Sequence, residues 1–308
     1  LLPSITLIYK ITPDVQLKAA YNKTLTRVDF KERSAFKYYD MEELGFMLGN
    51  GGLESGYAQN YDLRLEWYPK PGEIISVSAF YKYFINPVEK ITYNNTSGSY
   101  LFMYFNLDDA STKGIEFDLR KSLGFISNSS KFLNKLFVSG NMTIMKGDVT
   151  YNANKLANEA QGLDYDEEED LEIDAYRSPD LQGLSPFVYN AGLSYQSNHL
   201  GGSINLNHTG RTLVLAGTSM EQDEYDAPRN QLDAQLSYKF FNKRMKVKLN
   251  VSDLLAEDFI RYRNYNPDDI MMPYDEDPEG LDYNPDYDWT LRKIKKGTNY
   301  SISVSYTF

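Results

Sequence analysis

Histidine and cysteine, two common catalytic residue types, are scarce or absent in this chain of 308 amino acids. It contains two histidines and no cysteine, which excludes thiol chemistry and disulfides. His199 stands in a short polar turn and His208 on an alternating segment, and neither has a serine or aspartate placed to complete a catalytic triad. The sequence therefore predicts that the protein is not an enzyme. A hydrolase that uses only carboxylates remains the alternative of that class.

Carboxylates are concentrated in two segments of a chain whose net charge is −11. Residues 164–174 and 268–288 are rich in Asp and Glu and contain no Lys or Arg. Because Ca²⁺ prefers carboxylate ligands, the candidate calcium ligands are Asp164, Asp166, Asp275 and Asp277. Neither segment has the spacing of an EF-hand, and solvated loops are the interpretation that charge runs favour. Both acidic segments also argue against nucleic acid as a partner.

Aromatic side chains accompany the second acidic segment and suggest a binding surface. Mixtures of aromatic and polar groups suit a sugar, a peptide or a protein partner, and they equally suit a loop that packs on its neighbours. The candidate ligand-binding residues of this segment are Tyr274, Tyr283, Tyr287 and Trp289.

Three arginines occupy polar positions of alternating segments, namely Arg64, Arg120 and Arg211. We expect them to face a water-filled interior, where they would bind an anionic ligand or an internal domain. The other interpretation is ion pairing across neighbouring strands, for which the available carboxylates are Asp62, Glu66, Glu116 and Asp118.

The candidate side chains must be positioned by β-strands, and the strand pattern is clearest in the closing segment, residues 297–308. Its odd-numbered and even-numbered positions differ completely in chemistry, since one set is small and polar and the other is apolar and aromatic, comprising Tyr300, Ile302, Val304, Tyr306 and Phe308. A strand places the two sets on opposite faces. Such a strand suits a wall with lipid outside and water inside, and a strand of a soluble sandwich is the alternative.

The same alternation recurs along the chain and predicts eleven strands. Their lengths lie mostly near the roughly 9–11 residues that a tilted strand needs to cross a bilayer. The predicted ranges are 4–10, 15–25, 60–68, 74–85, 111–122, 135–147, 186–196, 202–213, 229–240, 245–254 and the closing segment.

The connections between these strands alternate between short and long. Short turns on one side and long loops on the other are typical of outer-membrane barrels, whereas a soluble sandwich has no reason to sort its loops. The 26 tyrosines suit aromatic belts at the two membrane interfaces. No apolar run of about 18 residues is present, which excludes a transmembrane helix. The predicted fold class is all-β, an antiparallel transmembrane β-barrel in the bacterial outer membrane.

Eleven antiparallel strands do not close into a barrel, because bacterial single-chain barrels have even strand numbers and unpaired edges are not stable in lipid. Eleven is half of the 22 strands of the plugged outer-membrane transporters. The chain starts at Leu1 without a basic region or cleavage site. We therefore expect residues 1–308 to be the C-terminal part of a larger barrel domain, with the plug and the N-terminal barrel half lying elsewhere.

Several stretches resemble the C-terminal barrel half of TonB-dependent outer-membrane transporters, most closely those of Bacteroidetes-type bacteria. They include Gly49-Asn50-Gly51-Gly52-Leu53, Asn60-Tyr61-Asp62-Leu63-Arg64-Leu65-Glu66-Trp67-Tyr68-Pro69, Thr112-Lys113-Gly114-Ile115-Glu116-Phe117 and Leu249-Asn250-Val251-Ser252-Asp253-Leu254-Leu255. Val28 stands where the family usually has proline, and Asp253 where it usually has asparagine.

The resemblance implies active uptake of a scarce ligand, energised through TonB. It implies as partners the lipid bilayer with lipopolysaccharide, the N-terminal barrel half and plug, the TonB complex acting on the plug, and the barrel-assembly machinery, for which Tyr306 and Phe308 would provide the signal. Some relatives also have a surface lipoprotein lid. A barrel that binds or displays a surface partner without transport, and an outer-membrane hydrolase, are the alternatives.

Overall fold

A computed structural model describes residues 1–41, 45–94, 100–107, 109–127, 129–161, 176–264 and 282–308. None of the helices in these ranges has the length and apolar content needed to cross a membrane. The helices are α1 (Phe30–Arg33), α2 (Ala153–Gln161) and three short 3₁₀ turns at Leu123–Phe125, Leu133–Lys135 and Met220–Gln222.

The principal element is an eleven-stranded antiparallel sheet, here called the wall. Its strands, in spatial order, are β1 (Ser4–Lys10), β2 (Val15–Thr26), β5 (Gly56–Trp67), β6 (Ile74–Ile85), β9 (Asp109–Ser122), β10 (Leu136–Val149), β13 (Phe187–Gln196), β14 (Leu200–Thr209), β17 (Arg229–Phe240), β18 (Met245–Ser252) and β21 (Asn299–Tyr306). Each strand pairs with its predecessor among these eleven, so the wall is a meander. All eleven predicted strands are confirmed.

Two predicted boundaries are wrong by four residues. The third strand, β5, begins at Gly56 rather than at residue 60. Alternation was expected to continue the eighth strand to Leu213, but β14 ends at Thr209 and β15 (Thr212–Gly217) belongs to a different sheet. Gly210 lies at the break, where an added Cβ would come 2.9 Å from the carbonyl oxygen of Phe187. The alternation changes phase at this break, since Ile204 and Leu206 occupy even positions whereas Leu213 and Leu215 occupy odd ones. This change of phase is the signal that could have placed the end of β14.

The long loops fold into a second sheet, here called the outer sheet, which the sequence did not predict. Its eight strands, in spatial order, are β20 (Trp289–Ile294), β19 (Phe259–Arg263), β16 (Glu224–Asp226), β15, β7 (Val88–Asn94), β8 (Tyr100–Asn106), β4 (Gly45–Leu48) and β3 (Lys37–Asp40). A two-stranded ribbon, β11 (Tyr151–Asn152) with β12 (Tyr176–Arg177), accompanies it. Two pairings in the outer sheet, β15 with β7 and β4 with β8, are parallel.

The hydrophobic core lies in the outer sheet rather than in the wall. Phe102 and Phe105 of β8 are each 1% exposed, and Leu213, Leu215 and Tyr262 are similarly buried. Strand β8 lies in the long connection between the fourth and fifth predicted strands, for which the sequence predicted no strand. Strand β8 is buried on both faces and so lacks the alternation of a half-exposed strand.

The wall presents its apolar side chains outward. Mid-strand aliphatic residues remain about half exposed, among them Leu63 at 50%, Ile115 at 47%, Ile204 at 52% and Leu236 at 54%. A soluble protein buries such a face, whereas a lipid-facing wall leaves it open to hydrocarbon.

Aromatic residues mark both margins of this apolar band. Near the long loops the ring of Tyr189 stacks on His208 at 4.9 Å. Near the short turns the rings of Tyr238 and Phe240 lie 4.6 Å apart. Such belts are the expected interface anchors of a membrane barrel.

Candidate functional site

The inner face of the wall carries an ion network centred on Arg64. The guanidinium lies 2.8 Å from Glu66 Oε1 through Nε and 2.8 Å from Asp118 Oδ2 through Nη2. Lys18 Nζ lies 2.8 Å from Glu66 Oε2. The network crosses from β2 to β9. Arg64 pairs with Glu66 of its own strand and with Asp118 two strands away, so it forms ion pairs within the wall, although not with the directly neighbouring strands that the second interpretation proposed.

Glu66 is the most enclosed member of this network, with a side chain only 5% exposed. Its carboxylate also accepts hydrogen bonds from Gln16 Nε2 at 2.6 Å and from the Tyr68 hydroxyl at 2.7 Å. A buried carboxylate is tolerated when it is paired and its remaining lone pairs accept donors. The network therefore stiffens the wall near the short turns, and a ligand would have to displace several bonds to reach Glu66.

Arg120 is on the same inner face but lies outside the ion network of Arg64. Its guanidinium carbon lies 5.3 Å from the centre of the Phe137 ring, a cation–π distance. Among the residues that the structure describes, it forms no ion pair. Its charge is therefore available to an anionic group inside the barrel.

A ladder of asparagine amides continues the inner face on β10, β13 and β14. Asn190 Nδ2 donates to Asn141 Oδ1 at 2.7 Å, and Asn207 Nδ2 donates to Asn190 Oδ1 at 2.5 Å. Each amide has two N–H donors and two acceptor lone pairs, so this bonding leaves capacity for further partners. The sequence reasoning missed this ladder. Its signal is an asparagine at matching inward positions of consecutive strands.

Arg211 was expected on the inner wall, and this expectation is wrong. It follows the end of β14 and lies in the outer sheet region, with its Nη atoms 3.8 Å from Asp180 Oδ2 and 3.9 Å from Asp282 Oδ1. Its guanidinium carbon is 5.5 Å from the centre of the Tyr225 ring. With a side chain 11% exposed, Arg211 holds neighbouring segments together.

The three described aromatic candidates of the second acidic segment separate into two groups. Tyr283 packs against the core, with its hydroxyl 2.9 Å from Thr290 Oγ1 and its ring 5.2 Å from that of Tyr262. Tyr287 and Trp289 are 57% and 56% exposed. Tyr283 therefore has a packing role, whereas Tyr287 and Trp289 have solvent-exposed aromatic rings.

The remaining candidates lie outside the described residues, namely Asp164, Asp166, Tyr274, Asp275 and Asp277. Within the described part of the chain, no group of three or more His, Asp or Glu side chains is arranged to hold a metal. Calcium binding by the acidic loops stays a prediction.

Two buried ion pairs were not predicted. The first joins the ribbon strand β12 to the residue before β16, and the second lies within the outer sheet. Arg177 contacts Asp223 through both Nη atoms, at 2.7 and 3.0 Å, and Asp223 is fully buried. Arg263 Nη2 lies 2.6 Å from Glu224 Oε1, with both side chains nearly buried.

The second of these pairs left a signal in the sequence. Glu224-Tyr225-Asp226 of β16 pairs antiparallel with Arg261-Tyr262-Arg263 of β19, so that each acid faces an arginine and the two tyrosines face each other. The sequence thus contains two triplets of complementary charge, separated by about 35 residues. Their pairing could not be selected from sequence, because many charged triplets are present.

The carboxyl group of Glu89, on β7 of the outer sheet, has a strongly raised pKa. Burial raises the pKa of Glu89 to about 8 from the ordinary value of 4.5. Its strand partner at this register position is Phe105. The group thus changes charge near neutral pH within a sheet that is otherwise tightly paired.

The two histidines show no catalytic arrangement. His208 stacks on Tyr189 on the outer face, and its Nδ1 lies 2.9 Å from Asn230 Oδ1. His199 lies at a short turn with its ring 6.3 Å from that of Tyr238. Both positions suit interface packing.

The C-terminal aromatic pair lies at the free edge of the wall. Strand β21 ends at Tyr306, and the rings of Tyr306 and Phe308 meet edge to face at 5.1 Å. Both side chains are open to the surroundings. Their position leaves them available to a recognition partner.

Solved structures with the same fold are large outer-membrane receptors. A mutant ferric enterobactin receptor of Pseudomonas aeruginosa, in complex with enterobactin, is 15% identical with a TM-score of 0.57. The siderophore receptor PirA of Acinetobacter baumannii is 14% identical with a TM-score of 0.56, and the copper transporter OprC is 10% identical with a TM-score of 0.63.

All three alignments include 100% of this chain but only 40%, 41% and 39% of those proteins. The chain thus spans less than half the length of the receptors that it resembles. No curated protein matches it.

The sequence profile described as "TonB dependent receptor-like, beta-barrel" matches residues 1–254, which include ten of the eleven wall strands. The fold, the sidedness of the wall and this match agree on one assignment. The chain belongs to the TonB-dependent receptor β-barrel family of the bacterial outer membrane.

Proposed function

We propose that this chain forms the C-terminal half of a 22-stranded barrel that imports a scarce ligand across the outer membrane. The observation that supports this most strongly is an eleven-stranded meander with an apolar outer face and a charged inner face. Each of its edge strands, β1 and β21, pairs on one side only among the described strands. An unpaired edge exposes backbone N–H and C=O groups, and hydrocarbon cannot satisfy them.

The direction of the two edge strands supports completion by further strands. Strand β1 runs from the long-loop end to the short-turn end, and β21 runs the same way because ten antiparallel steps separate them. Direct closure would need a parallel pairing that bacterial barrels of even strand number avoid. An N-terminal half of odd strand number joins both edges antiparallel.

Energised transport is the function that the family membership favours. In this proposal a plug fills the barrel, the TonB complex acts on the plug, and Arg120 with the network around Arg64 faces the plug or the ligand. Tyr287 and Trp289 on the exposed side of the outer sheet would contact the ligand first, or would support a surface lipoprotein lid. The chain supplies wall, outer sheet and assembly signal.

Lipopolysaccharide is a proposed partner of the outer face near the long loops. Lys113 and Lys146 are directly paired across β9 and β10, and their ammonium groups lie 3.9 and 3.5 Å from the carboxylate of Asp148. Like charges opposite each other are unfavourable, so a single carboxylate leaves this position short of negative charge. The phosphates of lipopolysaccharide would supply it.

An uptake measurement in cells tests the proposal. The complete receptor is expressed in a strain without its own copy and in a matched strain without TonB, and accumulation of ferric enterobactin, copper, cobalamin, an oligosaccharide and a peptide is measured. We expect TonB-dependent accumulation of one probe. Binding of a probe that never accumulates would favour the alternative of a display barrel, and consumption of a probe outside the cell would favour a hydrolase.

A further inference from the structure

The apolar outer face of the wall contains a groove of about 320 Å³ over β13, β14 and β17. Every outward-facing residue that lines it is apolar, and the lining includes Leu193, Tyr195, Gly202, Ala234, Leu236 and Leu249. A methylene group occupies about the volume of a water molecule in the liquid, roughly 30 Å³, so about ten methylene groups fit into the groove. The groove therefore has the size of an acyl-chain segment.

Two small residues form the floor of the groove. Gly202 of β14 lies in register between Tyr195 of β13 and Leu236 of β17. Ala234 lies in the neighbouring outward row, beside Ile204. A Cβ added to Gly202 would meet its nearest neighbours at 3.6 and 3.7 Å, which is ordinary van der Waals contact. The groove thus results from missing side-chain volume, and a larger residue would fill it without a clash.

The groove lies in the half of the wall next to the short turns. Gly202 is the third residue of β14, and Leu136, which also lines the groove, is the first residue of β10. At about 3.4 Å per residue and a tilt of about 40°, Gly202 lies about 5 Å from the end of its strand. The short turns of such barrels are periplasmic. The groove therefore opens to the periplasmic leaflet of the outer membrane, which consists of phospholipid.

The short turns beside the groove are basic. Residues 123–135, 197–199 and 241–244 contain no Asp or Glu, and their four basic residues are Lys131, Lys135, Lys243 and Arg244. Among the residues that the structure describes, none of these four is in an ion pair. The two short turns on the other part of the wall carry Asp14 and Glu73 instead. In a chain of net charge −11, the positive charge beside the groove is a local reversal.

An aromatic contact joins one of these turns to the groove. Phe132 follows Lys131, and its ring stacks on that of Tyr195 with the ring centres 4.9 Å apart. Because Tyr195 lines the groove, the turn that carries Lys131 and Lys135 borders the periplasmic end of the groove. An acyl chain in the groove would place its headgroup beside these ammonium groups.

The groove stays open in a complete barrel. Strands β13, β14 and β17 are each paired on both sides within the wall, so strands that complete the barrel join the edges at β1 and β21 and leave this face uncovered. A second copy of the chain would bring the same basic turns together, because a two-fold contact uses one surface on both partners. Charge therefore favours an anionic lipid over a second copy.

We propose that the groove and its basic turns form a binding site for an anionic phospholipid of the periplasmic leaflet. One acyl chain occupies the groove, and the phosphate lies at Lys131, Lys135, Lys243 and Arg244. The apolar groove accepts the chain of any phospholipid, whereas the four bases select the headgroup. The site lies on the opposite face of the wall from the ion network of Arg64 and does not depend on transport.

Native mass spectrometry of the complete receptor tests this site. Receptor in mild detergent is titrated with dioleoyl phosphatidylglycerol or dioleoyl phosphatidylethanolamine, which differ only in the headgroup, and the fraction that carries one lipid is measured. Ala234→Phe fills the groove. Its matched control is Ala79→Phe on β6, because Ala79 also faces outward between aliphatic partners, here Leu63 and Ile115.

Removal of the bases tests the selection of the headgroup. The double variant Lys243→Gln/Arg244→Gln loses two of the four bases beside the groove. Its control, Lys10→Gln/Lys70→Gln, removes the same amount of charge at the first two short turns.

We expect wild-type receptor to bind phosphatidylglycerol several-fold more tightly than phosphatidylethanolamine. Ala234→Phe should weaken the binding of both lipids, and the double variant should weaken only phosphatidylglycerol, by about fivefold for each base removed. Both controls should bind like the wild type.

Three results would overturn the site: no headgroup preference in the wild type, equal effects of the two phenylalanine substitutions, or equal effects of the two double variants. A receptor dimer in place of the lipid adduct would also overturn it and assign the groove to a second copy. Heat-modifiable migration verifies folding, and Gly202→Val, which also fills the groove, replaces Ala234→Phe if that variant does not fold.

Discussion

Ile204 offers a direct test of which face of the wall meets lipid. It lies on the outer face of β14, 52% exposed, four residues from Leu200 and five from Thr209. At about 3.4 Å per residue and a tilt of about 40°, it lies about 10 Å and about 13 Å from the two ends of the strand. Ile204 is therefore close to the middle of the bilayer.

Placing a charge at that depth has a known cost. The substitution Ile204→Arg is expected to destabilise the barrel by about 2–4 kcal/mol. At 1.4 kcal/mol per tenfold, the folded-to-unfolded ratio falls by about 30- to 700-fold. The neighbouring substitution Asn205→Arg places the same charge on the inner face, where water is present, and we expect a change within about 0.5 kcal/mol.

Equilibrium unfolding in urea measures both variants in the complete receptor reconstituted into phosphatidylcholine vesicles. Tryptophan fluorescence follows the transition, and heat-modifiable migration verifies the folded fraction. If Asn205→Arg proves as damaging as Ile204→Arg, or if Ile204→Arg is neutral, the assignment of the outer face to lipid is refuted.

Three further outcomes are expected. Arg177→Met should unfold the outer sheet locally, at a cost of about 3–5 kcal/mol, because it strands the buried carboxylate of Asp223; limited proteolysis of the external face measures this, and Lys146→Met, which breaks only an exposed pair, should change little. The pKa of Glu89 is raised from 4.5 to about 8 in the folded protein, so its carboxyl group progressively destabilises the outer sheet as pH rises between these values. The Glu89→Gln variant should therefore be more stable than the wild type at pH 8 and equally stable near pH 4.5. Urea unfolding at several pH values measures this, and a difference in unfolding free energy that stays constant with pH would contradict it. Deletion of Phe308 should reduce the amount of assembled receptor in outer membranes without changing its urea midpoint, because the ring contacts Tyr306 at a free edge; equal assembly would argue against an assembly signal.

The wall could be predicted because its pattern is local. A strand between lipid and water must alternate at every second residue, so Tyr300 to Phe308 and the ten earlier segments each carry the complete signal. That inward acids and bases form ion pairs was also predictable, since such residues on adjacent strands meet in a meander, as Lys18 of β2 and Glu66 of β5 do. Arg64 instead pairs with Glu66 on its own strand and with Asp118 two strands away.

The outer sheet could not be predicted in the same way. Its pairs join segments far apart in sequence, such as Phe46 of β4 with Leu101 of β8, and some of these pairs are parallel. A strand buried on both faces, like β8, has no alternation to detect. Arg211 was misplaced for a different reason, because it lies beyond the change of phase that marks the end of β14.

The amino-acid sequence alone determined the number of wall strands, the face of each strand that meets lipid and the sorting of short turns and long loops to opposite ends of the wall. These properties follow from lipid on one face of the wall and water on the other, and every strand contacts both of them whatever its neighbours are. Only the tertiary structure decided the register that aligns Gln16 with Gln231 through six intervening strands and the partners of Asp223 and Glu224. Register and distant pairing depend on how the strands fit together, which no single segment encodes.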